Sequence, residues 1–387
     1  MLKVKNLRIG FDEQEMVHGI SFQAEAGEII GIIGESGSGK SISALSVAGL
    51  LKESAWCKGE ILYKDVDLNT LDEKKRRTYK GNEISMIFQE PLTSLNPVLR
   101  IGRQIEEPLL LHTTLNREER RARVLQVMES VGLPEPETLL NKYPHELSGG
   151  MRQRAMIAMA MICEPSLLIA DEPTTALDVT LQGQILELLK KLVKERQMAC
   201  LFISHNMSIV RNFCDRVYVM HEGTLVEQGT PEEIFRAPQE AYTKRLISSI
   251  PNGISRADRV DEEARTVLEV ADFSVYYKQK KKHFYEESRL EEIVKSVSFS
   301  VRQGEMVGLV GRSGCGKSTL SKGILGLQRY TKGTVTYIKD GTPINTLENG
   351  RRSGGHLQMV FQDPYSSLNP AKRIGWILAE PLRVQHQ

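Results

Sequence analysis

The run Gly34-Glu35-Ser36-Gly37-Ser38-Gly39-Lys40-Ser41 fits the pattern G-x-x-x-x-G-K-[S/T]. Its chemistry is phosphate binding. Small residues let consecutive backbone N–H groups turn inward around an anion, and the helix start behind them adds its positive dipole end. In this pattern Lys40 reaches the β- and γ-phosphates, and the Ser41 hydroxyl can ligand Mg²⁺. A second copy, GRSGCGKS, supplies Gly311, Ser313, Gly314, Cys315, Gly316, Lys317 and Ser318, followed by Thr319. Two further groups suit the same chemistry. Asp171 and Glu172 end the apolar run of PSLLIADE, where Asp171 is placed to hold Mg²⁺ through water and Glu172 to orient an attacking water. His205 ends the apolar run LFISH and is placed to contact a γ-phosphate. A DE pair after a strand is a weak signal alone; 131 residues beyond a phosphate loop lysine it is a strong one.

These residues need rigid supports. The runs EIIGII, SLLIA and LFIS are short and continuously apolar, as expected of strands buried on both faces of a parallel sheet. Ligands of open α/β sheets bind beyond the carboxyl ends of such strands, which is where all these groups fall. The start, MLKVKNLRIGF, alternates like a strand and lacks the apolar core of a signal peptide. The longest apolar stretches are far below the roughly 18 residues that a membrane span needs.

The chain also repeats itself. Gly34 and Lys40 match Gly311 and Lys317 at an offset of 277, and MIFQEPLTSLNP (86–97) matches MVFQDPYSSLNP (359–370) at an offset of 273. A period this long indicates two homologous domains in tandem, since solenoid repeats run about 20–50 residues. We place the first at 1–252, a charged linker at 253–266 and the second at 267–387. Phe11 aligns with Tyr277, leaving eleven extra residues in the second copy around KQKKKHFYEES (278–288), a charged surface loop by composition. With 387 residues, 40% hydrophobic and 26% charged, the composition is that of a globular protein. A net charge of +2 gives no electrostatic case for a nucleic-acid partner. The five cysteines form no CxxC pair, which fits reduced thiols and argues against zinc or an iron–sulfur cluster.

LSGGMRQR (147–154) adds the most specific signal. Together with the phosphate loop, the glutamine in MIFQEP, the DE strand and the histidine, in that order, it closely resembles the signature motif of ABC-type ATPases. By its residues alone, a serine and two glycines opening a helix offer a hydroxyl and amides to an anion. The resemblance spans essentially the whole chain and implies an α/β fold. Its core is of P-loop NTPase (RecA-like) type, with an antiparallel β subdomain and a helical subdomain, present in tandem. It further implies two ATPase domains facing head to tail, with each ATP between one phosphate loop and the opposite Ser148-Gly149-Gly150 type signature. Gln89 and Gln362 become the glutamines that contact Mg²⁺ and sense membrane subunits. Asp178 becomes a residue of the loop crossing the dimer interface, and Phe11 and Tyr277 the aromatics stacking on adenine, with Tyr276 competing for the second position.

QEPLTSLNP, QDPYSSLNP and RAPQEAYTKRLISSIP (236–251) resemble the oligopeptide, dipeptide and nickel importer ATPases, here fused in tandem as in some peptide and glutathione importers. This implies ATP hydrolysis with Mg²⁺, integral membrane permease partners, an indirect link to a periplasmic or lipid-anchored solute-binding protein, and a peripheral position on the cytoplasmic face of the membrane. Peptides are the first expectation for the cargo, with nickel, glutathione or other small solutes as alternatives. A soluble, non-transport ABC ATPase is the rival class. Its ribosomal members carry a long basic helical linker, and its DNA-repair members carry zinc modules; this chain shows neither. The first domain places its signature, DE strand and histidine 108, 131 and 165 residues after Lys40; the same spacings from Lys317 run past residue 387. The second domain is therefore expected to be the opening part of a longer one, with several sheet strands missing and apolar edges uncovered.

Overall fold

The structure, a computed structural model, describes residues 1–89, 94–175, 177–250, 264–278, 290–312, 314–339, 342–345, 347–348, 351–352, 357–361 and 367–385. The linker core (251–263), the insertion (279–289), Ser313 and Gln362 lie outside the described residues. The chain divides into two units, Met1–Ile254 and Ser255–Gln387.

The first unit opens with an antiparallel layer in the order β2-β1-β4-β5, made of β1 (Leu2–Phe11), β2 (Gln14–Ala24), β4 (Ala55–Tyr63) and β5 (Val66–Asp67). Leu2, Val4, Leu7 and Ile9 of β1 point inward. The alternation first breaks at Asn6, whose φ is +47°. Its N–H donates to Ser21 Oγ at 2.9 Å, and opposite it Gly59 has φ +100°, where a Cβ would lie 2.4 Å from Asn6 O. This bulge needs glycine there, because any side chain would strike the facing strand.

Strand β3 (Ile29–Ile33) begins the second layer. With β6 (Ile84–Ile87), β7 (Leu167–Asp171), β8 (Ala199–Ile203), β9 (Arg216–His221) and β10 (Thr224–Gly229) it forms a sheet ordered β10-β9-β3-β8-β7-β6, parallel except for the β10 edge. Every residue of β3, β7 and β8 is buried, as their unbroken apolar runs require. This topology carries four loops to one edge of the sheet, in the order glutamine loop, DE pair, histidine and phosphate loop.

Helices complete the unit. α1 (Lys40–Ala48) follows β3 and ends at Gly49, whose φ is +70°. A helical layer is built from α2 (Ile101–His112), α3 (Arg117–Ser130) and α4 (Gly149–Met161), packing Ile101, Ile105, Leu109, Val124, Val127, Met128 and Ala155 together. Asn116 and Glu119 cap the start of α3 reciprocally. α5 (Val179–Glu195), α6 (Met207–Phe213), α7 (Pro231–Arg236) and α8 (Ala241–Ser248) follow.

The second unit repeats the antiparallel layer. β11 (Thr266–Lys278), β12 (Leu290–Arg302), β13 (Tyr330–Lys339) and β14 (Thr342–Asn345) take the order β12-β11-β13-β14. The bulge recurs in detail: Asp272 has φ +47°, its N–H donates to Ser298 Oγ at 2.9 Å, and Gly333 has φ +87° with Asp272 O 2.4 Å from where its Cβ would stand. α9 (Lys317–Ile324) packs Leu320 onto Phe273, Val275 and Val294, and α10 (Ile374–Gln385) comes last.

The second phosphate loop departs from expectation in one respect. Residues 306–310, the counterpart of β3, form no strand, and Met306 and Val310 are 85% and 94% exposed. The reason is pairing. In the first unit β3 is hydrogen-bonded on both sides, to β8 and β9, whereas no such neighbours exist among the described residues of the second unit.

Candidate nucleotide site

The phosphate loop of the first unit bridges β3 and α1. Gly34 has φ +155°, and a Cβ there would lie 2.0 Å from Met220 O, so the loop can turn off the strand only with glycine. Lys40 is buried and folds back over the loop. Its Nζ donates to Gly34 O at 2.9 Å, Glu35 O at 2.6 Å and Ser38 Oγ at 3.3 Å. Burial pushes the lysine pKa down, with partial compensation from the Glu172, Asp171 and Glu35 carboxylates. A buried ammonium resting on neutral carbonyls is a cation in wait of an anion, which suits a phosphate.

Ser41, the second residue of α1, donates its hydroxyl to Asp171 Oδ1 at 3.1 Å. Asp171 is buried at the end of β7, and burial raises its pKa while the Ser41 hydrogen bond lowers it in part. A hydroxyl beside a carboxylate is a hard oxygen donor set, which fits Mg²⁺ held by few protein ligands and its own waters.

Glu172 follows with φ +46°, a left-handed backbone uncommon outside glycine, and its N–H donates to Ile203 O at 2.9 Å. Three side chains converge on its carboxylate. His205 Nδ1 lies 2.9 Å from Oε1, while Gln89 Nε2 and Thr175 Oγ1 each donate to Oε2 at 3.0 Å. The edge of the sheet thus brings together Lys40, Ser41, Asp171, Glu172, His205 and Gln89. Ser204 supports the histidine turn by accepting Asn206 N–H at 3.0 Å.

Other expected residues stand elsewhere. Ser148 caps α4, accepting Met151 N–H at 3.3 Å, and Ser148 and Gly149 are exposed. Gly150 is buried against Leu181, which would lie 2.5 Å from any Cβ placed there. Asp178 caps α5 by accepting Leu181 N–H at 3.0 Å. Phe11 ends β1, half-buried, opposite Gln14 and Ala55. In the second unit Tyr276 pairs with Tyr330 as Gly10 pairs with Trp56, so the register sets Tyr277 at the position of Phe11.

The second phosphate loop repeats the lysine contacts of the first and the angles of its last two glycines. Lys317 Nζ donates to Gly311 O at 2.6 Å and Arg312 O at 2.7 Å, with Cys315 Sγ at 3.8 Å. Gly314 and Gly316 have φ +79° and +97°, against +82° and +100° at Gly37 and Gly39.

Sequence reasoning missed Thr175 and Gln104. The first is signalled only by the paired threonines after Glu172. Gln104, buried on α2, holds the SLNP turn: its Oε1 accepts Asn96 N–H at 2.8 Å and its Nε2 donates to Asn96 O and Leu99 O. The matching position in the second copy is Ile377.

With this geometry in place, comparison with known proteins is direct. The ABC transporter family matches residues 17–175 and 294–376. The glutathione import ATP-binding protein GsiA of Pectobacterium atrosepticum is 39% identical over 423 residues, spanning 100% of this chain and 68% of that protein. The peptidoglycan transport ATP-binding protein YejF of Agrobacterium fabrum is 44% identical, spanning 100% of this chain and 71% of that protein. Among solved structures, the dimeric post-hydrolysis state of the ATP-binding cassette MJ0796 bound to ADP and Pi superposes with a TM-score of 0.54 at 30% identity, covering 60% of this chain and 99% of that one. No helix among the described residues is long and apolar enough to cross a membrane. The chain belongs to the ABC transporter family, as an ATP-binding and ATP-hydrolysing subunit of the peptide and nickel importer type.

Proposed function

We propose that this chain powers an importer of peptides or peptide-like solutes. The site that does the work would be Lys40, Ser41, Asp171, Glu172, His205 and Gln89. The observation that carries the proposal is the convergence of His205, Gln89 and Thr175 on the Glu172 carboxylate, next to the Ser41–Asp171 pair. The cargo class is supported by the relatives, whose names specify glutathione, a tripeptide, and peptidoglycan.

In this reading Lys40 leaves its loop carbonyls and pairs with the β- and γ-phosphates. Ser41 and Asp171, with Gln89, would hold Mg²⁺, which would supply neutralisation of phosphate charge. Glu172 orients the attacking water, and His205 holds the γ-phosphate contact. The reaction is phosphoryl transfer to water, in which positioning and charge neutralisation supply most of the acceleration. Ser148, Gly149, Gly150 and Asp178 act toward the phosphate loop of an opposing domain, and Phe11 and Tyr277 stack on adenine. In the second repeat, Gly311 to Thr319 bind a second nucleotide and Gln362 serves as its glutamine.

We assign residues 1–252 to one ATPase domain, 253–266 to a linker and 267–387 to a second, homologous one. The partners are integral permease subunits reached through the glutamine loops, with a solute-binding protein acting through them, and the chain lies on the cytoplasmic face of the membrane. The test is Glu172→Gln in the purified chain. Hydrolysis should fall by about 100-fold or more while ADP affinity is kept. Hydrolysis that survives this substitution would remove Glu172 from the role.

A further inference from the structure

The segment 236–251 marks the importer subgroup in sequence, yet none of its residues enters the chemistry above. The structure seats its helix on the phosphate loop. The helix start is tied to β10, because Glu227 accepts the N–H groups of Gln239 and Glu240 at 2.7 and 3.2 Å. One turn on, the Tyr242 hydroxyl accepts the N–H of Glu35, the second residue of the phosphate loop, at 3.0 Å. The Tyr242 ring lies on His221, with centroids 3.9 Å apart, and the Arg245 guanidinium lies over the Tyr242 ring at 5.5 Å from its centroid. Arg245 Nη2 is also 3.8 Å from Glu35 Oε1.

The N–H held by Tyr242 belongs to the peptide joining Gly34 to Glu35. The carbonyl of that same peptide is Gly34 O, which accepts Lys40 Nζ at 2.9 Å. A peptide unit is planar, so fixing its N–H fixes the direction of its carbonyl. Gly34, with φ +155°, gives the plane no steric restraint of its own. From these contacts we infer that Tyr242 is a positioning residue for nucleotide binding: it clamps the Gly34–Glu35 peptide and thereby sets the resting place and reach of Lys40. The second loop carries Arg312 where the first carries Glu35.

This rests on the reading of Lys40 as the phosphate lysine, and the test separates the two. ADP affinity is measured by calorimetry on the full chain in a Lys317→Ala background, so that only the first loop reports. KM and kcat for ATP are measured on the same proteins. Tyr242→Phe keeps the ring on His221 and removes the acceptor. A lost hydrogen bond of ordinary net worth predicts an ADP Kd and an ATP KM raised about five-fold, with kcat changed less than about two-fold. Tyr242→Ala should raise both constants further, and Arg245→Met, from an exposed pair, by less than about two-fold. Wild-type Kd and KM in Tyr242→Phe, alongside lost ADP binding in Lys40→Ala, would overturn the clamp alone. A fall in kcat without a change in KM would overturn it as well. ADP binding that survives Lys40→Ala would take down the phosphate-loop reading and the clamp with it.

Discussion

The two phosphate loops share the left-handed angles of their last two glycines and the folded-back lysine, yet they stand on different ground. In the first unit the strand feeding the loop is wholly buried, Ser41 meets Asp171, and Gln104 pins the turn after the glutamine. In the second, the feeding segment Met306–Val310 is exposed, and an isoleucine stands where Gln104 would be. The loop's shape is therefore local. Small residues, positive-φ glycines and one lysine reproduce it with no parallel sheet beneath among the described residues. What the sheet adds is neighbours: the carboxylates and histidine that turn a phosphate cradle into a hydrolytic site.

The largest effect that tests this contrast is on turnover. Lys40→Ala should cut ATP hydrolysis by the 387-residue chain by about 100-fold or more, and Lys317→Ala by less than about three-fold, since no DE pair follows it in this chain. Equal losses would mean that the second loop takes part in the hydrolytic site. Thiol chemistry comes next. Cys315 is exposed where its counterpart Ser38 is buried, and burial raises the Cys200 thiol to about 12 and the Cys214 thiol well above its usual range. Iodoacetamide at about pH 8 should therefore label native Cys315 at least about 100-fold faster than Cys200 or Cys214, read by mass spectrometry.

Packing gives a smaller contrast. Ile32→Ala removes a fully buried side chain of β3 and should cost about 2–5 kcal/mol in urea unfolding of the first unit. Leu309→Ala, at the matching but exposed position, should cost no more than about 0.5 kcal/mol. The smallest effect is electrostatic. Burial raises the Asp171 pKa in the folded state, so its contribution to stability is full below the ordinary carboxylate pKa of 3.8 and is lost as pH rises through the folded value. Asp171→Asn should accordingly melt higher than the parent at about pH 7 without nucleotide or divalent cation, with the gap closing toward about pH 4. Ser318→Ala should show no comparable pH dependence.

Much of the site was legible because its chemistry is tied to strand ends. An apolar run of five residues identifies a buried strand, and the polar residues that close it then have to emerge at the sheet edge, which located Asp171, Glu172 and His205; the glycine-rich pattern after β3 located Lys40. Contacts between side chains far apart in sequence were not legible. Nothing in the spacing of Gln89 and Thr175 says that both reach one carboxylate oxygen, and the left-handed backbone of Glu172 has no sequence signature. The Tyr242 clamp was hidden for a similar reason. An aromatic on a short amphipathic helix reads as core, and only the fold reveals that its hydroxyl ends at residue 35. The apolar run before Lys317 forms no strand because such a run records the wish to be buried, while the partners that satisfy it come from elsewhere in the chain.

The paired bulges, Asn6 against Gly59 and Asp272 against Gly333, act as matched joints. Each fixes the same backbone angle, the same serine contact and the same glycine clearance at the same place in its layer. A segment cut at one joint and moved to the other would meet the geometry it left. The two repeats thus share a seam on either side of their nucleotide loops, at which a designer could splice one repeat onto the other while keeping the bulge geometry.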